Sequence, residues 1–226
     1  MVSRGSTNAE SGLQLNLWRK HLGSVPREVW ARQELRALVL ADNDLTELSP
    51  EVARLKNLRM LDLGHNRLTR LPDALGRLEG LTDFLYLHDN RLTELPSTIV
   101  GLRRLRYLNV SENALTLLPD AVCEMQGLVE LRASDNKITE LPERIGRLAR
   151  LRELHLRNNR LTLLPESIGS LAELRQIDLR GNPLRSLPAT MARLPKLDKI
   201  DLRWVSTLDP PAWLGELQER GCLVYR

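Results

Sequence analysis

The sequence predicts an α/β solenoid: a curved stack of short units with a parallel β-sheet on the concave side, 3₁₀ or short helical segments on the convex side, and a helical cap at the C-terminal end. Three observations carry that expectation. Asn43, Asn66, Asn90, Asn113, Asn136, Asn159 and Asn182 recur every 23 residues, with one interval of 24, and a fixed period of this length marks stacked repeats. With asparagine numbered position 9, apolar residues fill positions 4 and 6, as in Leu61 and Leu63 or Leu154 and Leu156. That alternation belongs to a strand with one buried face. Apolar residues then return at positions 11, 14, 18 and 21, for example Leu161, Leu164, Ile168 and Leu171, at the three- and four-residue spacing of a helical or 3₁₀ segment.

From the N-terminus, residues 1–11 are small and polar and are expected to be a disordered tail. Residues 12–34 keep Leu15, Leu17, Leu22, Val25 and Val29 in frame but place Lys20 in the asparagine slot and Arg32 where leucine belongs. Such polar replacements suit a capping repeat that faces water. Regular repeats fill 35–204. In most of them proline follows the position-14 leucine (Pro72, Pro96, Pro119, Pro142, Pro165, Pro188), where its fixed φ and missing N–H suit the first turn of the convex segment. Residues 205–226 form the second cap. Val205 takes the asparagine slot, and DPPAWLGELQERG reads as a helix with Asp209 near its N-cap and Gly221 at its stop. A strand-like CLVY follows.

The asparagines have a structural task in this arrangement. The chain turns inside an apolar core at position 9 and strands backbone donors and acceptors there. An amide side chain offers both kinds of partner to its own and the adjacent repeat.

Bulk properties narrow the function. The formal charge is +4, with 33 basic residues interspersed among 29 acidic ones. The absence of a like-charge run argues against a nucleic-acid tail or a membrane-binding polybasic patch. No stretch approaches a membrane span, and no apolar leader begins the chain. Cys123 and Cys222 stand in unrelated contexts with no paired-cysteine cap, so a reducing, cytoplasmic setting is expected. No phosphate-binding glycine loop, nucleophile elbow, metal-ligand spacing or catalytic carboxylate pair is present. A non-enzymatic chain without cofactor or metal, and monomeric, is the expectation.

The run L-x-x-L-x-L-x-x-N-x-L-x-x-L-P-x-x-I-x-x-L, clearest at 151–173 (LRELHLRNNRLTLLPESIGSLAE), resembles the leucine-rich repeat family. Its L-P-x-x-I form is similar to the Ras-suppressor-like and plant Ras-group members and to many bacterial ones, and the C-terminal segment looks like the terminal unit of small bacterial members. The resemblance implies a rigid scaffold that binds another protein on its concave face.

Candidate contact residues lie at the outward strand positions. A central patch gathers Met60, Asp62, His65, Phe84, Tyr86, His88, Tyr107 and Asn109, rich in the aromatic and methionine side chains that anchor interfaces. The single 24-residue interval falls here, in LTDFLYLHDN. One extra residue within a strand predicts a bulge, with Phe84 either displaced or folded back into the core. A second patch is a ladder of Arg157, Arg180 and Arg203 at position 7, flanked by Arg132 and His155. It could grip phosphate or carboxylate groups, or be neutralised by Glu130, Glu153, Asp178 and Asp201. The leading expectation is a protein–protein interaction module. The alternatives are nucleic-acid or phospholigand binding through the arginine ladder, and a recognition domain of a larger effector or GTPase-signalling protein.

Overall fold

The computed structural model describes residues 12–226; the expected N-terminal tail, 1–11, lies outside the described residues. Ten three-residue strands form one sheet in sequence order, each parallel to the next. They are β1 (Gln14–Asn16), β2 (Ala37–Val39), β3 (Met60–Asp62), β4 (Phe84–Tyr86), β5 (Tyr107–Asn109), β6 (Glu130–Arg132), β7 (Glu153–His155), β8 (Gln176–Asp178), β9 (Lys199–Asp201) and β10 (Leu223–Tyr225). A 3₁₀ turn follows each of the first eight strands, and helix α1 (Trp213–Glu219) separates β9 from β10. Between sheet and turns runs one continuous core, in which the leucines of positions 1, 4, 6, 11, 18 and 21 are almost entirely withdrawn from water.

The prolines sit one step earlier than expected. Pro72, Pro96, Pro119, Pro165 and Pro188 are the residues immediately before their 3₁₀ turns, with φ between −56° and −71°. Each donates nothing and uses its carbonyl to accept from the amide three residues on, as Leu75 N does to Pro72 O at 2.9 Å. Ser49 takes that place in the second repeat, with its hydroxyl accepting from Glu51 N.

The asparagine ladder carries the inter-repeat polar bonds. Asn66 donates through Nδ2 to Leu40 O of the preceding repeat and to Leu63 O and Gly64 O of its own, each at 3.0 Å. Its Oδ1 accepts from Asn43 N at 3.1 Å and Leu45 N at 3.0 Å. The same pattern recurs at Asn90, Asn136, Asn159 and Asn182. Where the N-terminal cap has Lys20, that residue only contributes its backbone N–H to Asn43 Oδ1.

A second regularity lies in the backbone. Position 8, just ahead of each asparagine, lies in the left-handed region in every strand-to-turn corner: Arg19, Asp42, His65, Asp89, Glu112, Asp135, Asn158, Gly181 and Trp204 have φ between 50° and 66°. Six of the nine, Asp42, His65, Asp89, Asp135, Asn158 and Gly181, belong to the types that take this conformation most readily. The others are held there by the core on one side and the asparagine bonds on the other.

The extra residue of the 24-residue repeat does not bulge the strand. β4 keeps unbroken register on both sides, Met60 opposite Phe84 and Phe84 opposite Tyr107. At an ordinary junction two amides converge on one carbonyl, as Val129 N and Glu130 N do on Arg106 O. After Leu81 that acceptor is split: Arg106 N goes to Thr82 O at 3.0 Å and Tyr107 N to Asp83 O at 3.1 Å. The insertion is thus absorbed in Thr82–Asp83, before the strand begins. Phe84 is neither displaced nor returned to the core; it occupies position 3 and is 43% exposed.

The C-terminal helix is shorter than expected. Asp209 precedes Pro210, which biases it away from helical backbone, and α1 starts after Ala212 with no side-chain cap. Leu214 and Leu217 are buried against the last repeat, and Gly221, at φ +91°, turns the chain into β10.

Candidate binding surface on the sheet

Side chains of positions 3, 5 and 7 leave the open face of the sheet, because positions 4 and 6 point into the core. At the centre of that face the strand registers bring four aromatic or imidazole rings into one cluster. Phe84 stacks on Tyr86 with centroids 5.9 Å apart, and Tyr107 lies 5.6 Å from Phe84 and 5.1 Å from Tyr86. His88 meets Tyr86 edge-on at 6.1 Å. Met60 adjoins Phe84 in register on β3. Burial against one another pushes both tyrosine hydroxyls above their ordinary pKa, so they stay neutral donors.

His65 and His88 pack ring edge to face at 4.7 Å, and His65 Nδ1 pairs with Asp89 at 2.7 Å. The ring of His88 rests on Gly64, where a Cβ would collide with it. Burial, and after it the adjacent His65, holds the His88 pKa below the usual histidine value. Its Nδ1 is buried with no hydrogen-bond partner. Asp62 and Asn109 belong to the turn as much as to the surface. Their Oδ1 atoms accept from Gly64 N at 2.9 Å and Ser111 N at 3.0 Å, as position 5 also does at Asn16, Asp178 and Asp201.

The arginine ladder is occupied from within. Arg180 grips Asp178 with two bonds, at 2.8 and 2.6 Å, and approaches Asp201 at 3.5 Å. Arg203 grips Asp201 at 2.9 and 2.7 Å. Arg157 bonds Asp135 at 2.9 Å, so its carboxylate comes from the neighbouring repeat and not from the glutamates of position 3. Those glutamates hold other partners: Glu130 takes Arg132 at 2.5 Å, and Glu153 takes His155 at 3.2 Å. Among the described residues, Glu130, Glu153 and His155 are the group whose ligand atoms come within 4.8 Å of one another. With Arg132 already on Glu130, a cation there would first have to displace a guanidinium.

Asp201 gives this row a pH signature. Burial pushes its carboxyl upward, but the hydrogen bonds from Arg203 and the charge of Arg180 outweigh that and hold it below the ordinary range. The unfolded reference is about 3.9. A carboxyl depressed in the folded state contributes stability that is complete above that reference and is lost as pH falls through the folded pKa. Asp201→Asn is therefore expected to lower stability at neutral pH and to flatten the acid limb of the curve below about pH 4. Urea midpoints measured from neutral pH down to about pH 3 check it; an acid limb as steep in the variant as in the wild type would contradict it.

The leucine rich repeat profile matches four overlapping segments, residues 33–92, 83–138, 126–184 and 149–204. The chain belongs to the leucine-rich repeat family. Members of this family commonly mediate protein interactions and are typically non-enzymatic. No curated protein matches the sequence. Among solved structures, the Leptospira interrogans leucine-rich repeat protein LIC12759 aligns over 99% of this chain and 70% of its own, with TM-score 0.71 and 24% identity, which is a likeness of fold. The ectodomain of the Arabidopsis thaliana receptor kinase GASSHO1/SCHENGEN3, solved in complex with CASPARIAN STRIP INTEGRITY FACTOR 2, aligns over 89% of this chain with TM-score 0.78 and 29% identity. The plant peptide hormone receptor RGFR1, in complex with RGF2, aligns over 88% with TM-score 0.76 and 31% identity. This chain spans 25% and 32% of the lengths of those two receptor chains. Among the described residues of the leucine-rich repeat chain, no helix is long and apolar enough to cross a membrane.

Proposed function

We propose that this leucine-rich repeat chain binds a protein or peptide partner on the open face of its sheet, with Phe84, Tyr86 and Tyr107 as the anchor. The observation that carries the reading is the aromatic cluster itself, in which Phe84 is exposed and Tyr86 and Tyr107 are half-buried. Three rings on two adjacent strands occupy a surface where the fold requires only solubility, and rigid aromatic side chains lose little entropy on burial at an interface. Met60 and His88 extend the apolar area, while Arg132 and His155 supply charge at its border. The two plant receptors, each solved with a partner named in its title, support the reading by analogy of fold. Two buried free thiols, Cys123 with its pKa raised to about 11 by burial and Cys222 raised likewise, fit a reducing compartment.

The ladder Arg157, Arg180 and Arg203 is the weaker basis for function, since binding an anion there would mean stripping the arginines from Asp135, Asp178 and Asp201.

The test is the double substitution Tyr86→Ala with Tyr107→Ala, compared with wild type for capture of partners from host extract and for affinity toward the partner so identified. The expected result is a loss of affinity of about a hundredfold, the scale of two central anchors, with an unchanged urea midpoint. Unaltered affinity for the captured partner would remove the aromatic cluster from the interface.

A further inference from the structure

Five arginines that no carboxylate answers gather off the sheet face, on the flank where the chain enters the strands. Arg106 and Arg152 occupy position 2 of repeats two apart, and Arg104 and Arg150 immediately precede the first leucine of the same repeats. Arg103 stands beside Arg104. All five are exposed and line one groove. No ion pair or side-chain hydrogen bond joins any of them to another described residue, whereas each arginine of the ladder on the sheet holds an aspartate. One carboxylate reaches the groove, that of Glu173, and Lys196 already holds it at 2.5 Å.

The repeat between the two arginine pairs makes the trough. Its equivalent positions are Gly127 and Val129, which carry neither charge nor length. Gly127 is required there, because a Cβ would press into the backbone of Arg103 and Arg104. The walls Arg104/Arg106 and Arg150/Arg152 therefore stand two strand spacings apart, about 9.6 Å, room for one extended chain with side chains turned to both sides. Gln126 at the rim has an exposed amide without a partner among the described residues, able both to donate to and accept from a peptide backbone. No aromatic residue lines the groove, so nucleic-acid bases would find nothing to stack on.

From this placement we propose that the groove is a second interaction surface, which receives an extended, acidic peptide segment of a protein partner. Guanidinium groups free of internal partners bind carboxylates bidentately, and here they do so without first breaking a native ion pair. The surface is distinct from the aromatic cluster and does not depend on it.

Fluorescence anisotropy of a labelled oligoglutamate peptide with the full chain tests the proposal. Wild type is expected to bind with an affinity that weakens as salt rises from about 50 to 200 mM, as screening shortens the reach of exposed charges. Arg106→Ala with Arg152→Ala is expected to weaken binding at least about tenfold, two charge-assisted contacts being lost. Arg70→Ala with Arg91→Ala removes the same net charge from exposed arginines outside the groove and should leave binding within about twofold, as should Tyr86→Ala with Tyr107→Ala. Equal weakening by both arginine pairs would reduce the effect to net charge and overturn the site. Tighter binding of an oligothymidylate of equal charge would overturn the choice of a peptide, and no binding of the peptide at low salt would overturn the proposal altogether.

Discussion

Asn66→Asp is expected to destabilise the chain by on the order of 5 kcal/mol, an amount comparable with the whole stability of many domains. The substitution is nearly isosteric, so packing does not change. What changes is the bonding of three inward-facing carbonyls, Leu40 O, Leu63 O and Gly64 O, which lose their common donor. Each keeps one other donor, Asn43 Nδ2, Asn90 Nδ2 and Asp42 N respectively, so the larger cost is the new carboxylate, which at neutral pH is a buried, unpaired charge facing three oxygens. Asn66→Ala removes the donor without adding the charge, leaves Asn43 N and Leu45 N without their acceptor, and should cost about 3 kcal/mol. The two are separated by pH. A carboxyl so placed has its folded pKa raised, so its penalty is full at high pH and shrinks as pH falls through that value. Urea unfolding followed by circular dichroism should show the aspartate variant approaching the alanine variant in acid. Parallel curves at all pH values would show that the charge is solvated and the ladder open to water.

Gly76→Ala is expected to cost about 2–4 kcal/mol. The 3₁₀ turns Asp73–Arg77 and Ser97–Gly101 stack so closely that a methyl on Gly76 would overlap the carbonyl of Thr98, while one on Gly101 would overlap the carbonyl of Gly76. Both obstacles are backbone, and no rotamer change relieves them. The convex turns must separate, and the apolar side chains beneath them, Leu75 and Ile99, lose contact. Gly215→Ala is the matching control: nothing lies within 4 Å of its Cβ position, and in the middle of α1 alanine should add up to about 1 kcal/mol. A shift in thermal midpoint of opposite sign for the two variants is the expected result. An unchanged midpoint for Gly76→Ala would mean that the convex side is loosely packed.

The solenoid was legible because the same instruction is written many times. A single L-x-L could be strand or helix, but in-frame copies from Leu38 to Ile200 leave one solution in which all of them share a core. Less was legible where local geometry overrides residue type. Nothing in Arg19, Glu112 or Trp204 announces a left-handed backbone, since asparagine, aspartate, histidine and glycine are the types that favour it. The 24-residue interval located the aromatic cluster but not its geometry: counting cannot say whether an extra residue enters before the strand or within it, and the split carbonyls of Thr82 and Asp83 decide that. The arginine ladder stood out because it lies at outward strand positions, yet Asp178 and Asp201, two residues back on the same strands, already satisfy most of it. The flank arginines escaped notice for the converse reason. Position 2 precedes the strand, outside the columns that a strand pattern marks as surface.

The asparagine ladder also sets how the molecule would respond to load. Pulled between its ends, the chain carries tension through ten rungs in series, and seven asparagine amides fasten the first eight to one another. The last two rungs lack that fastening, with Val205 in its place. Such a spring yields from its C-terminal end and keeps its middle, and the middle is where Phe84, Tyr86 and Tyr107 stand.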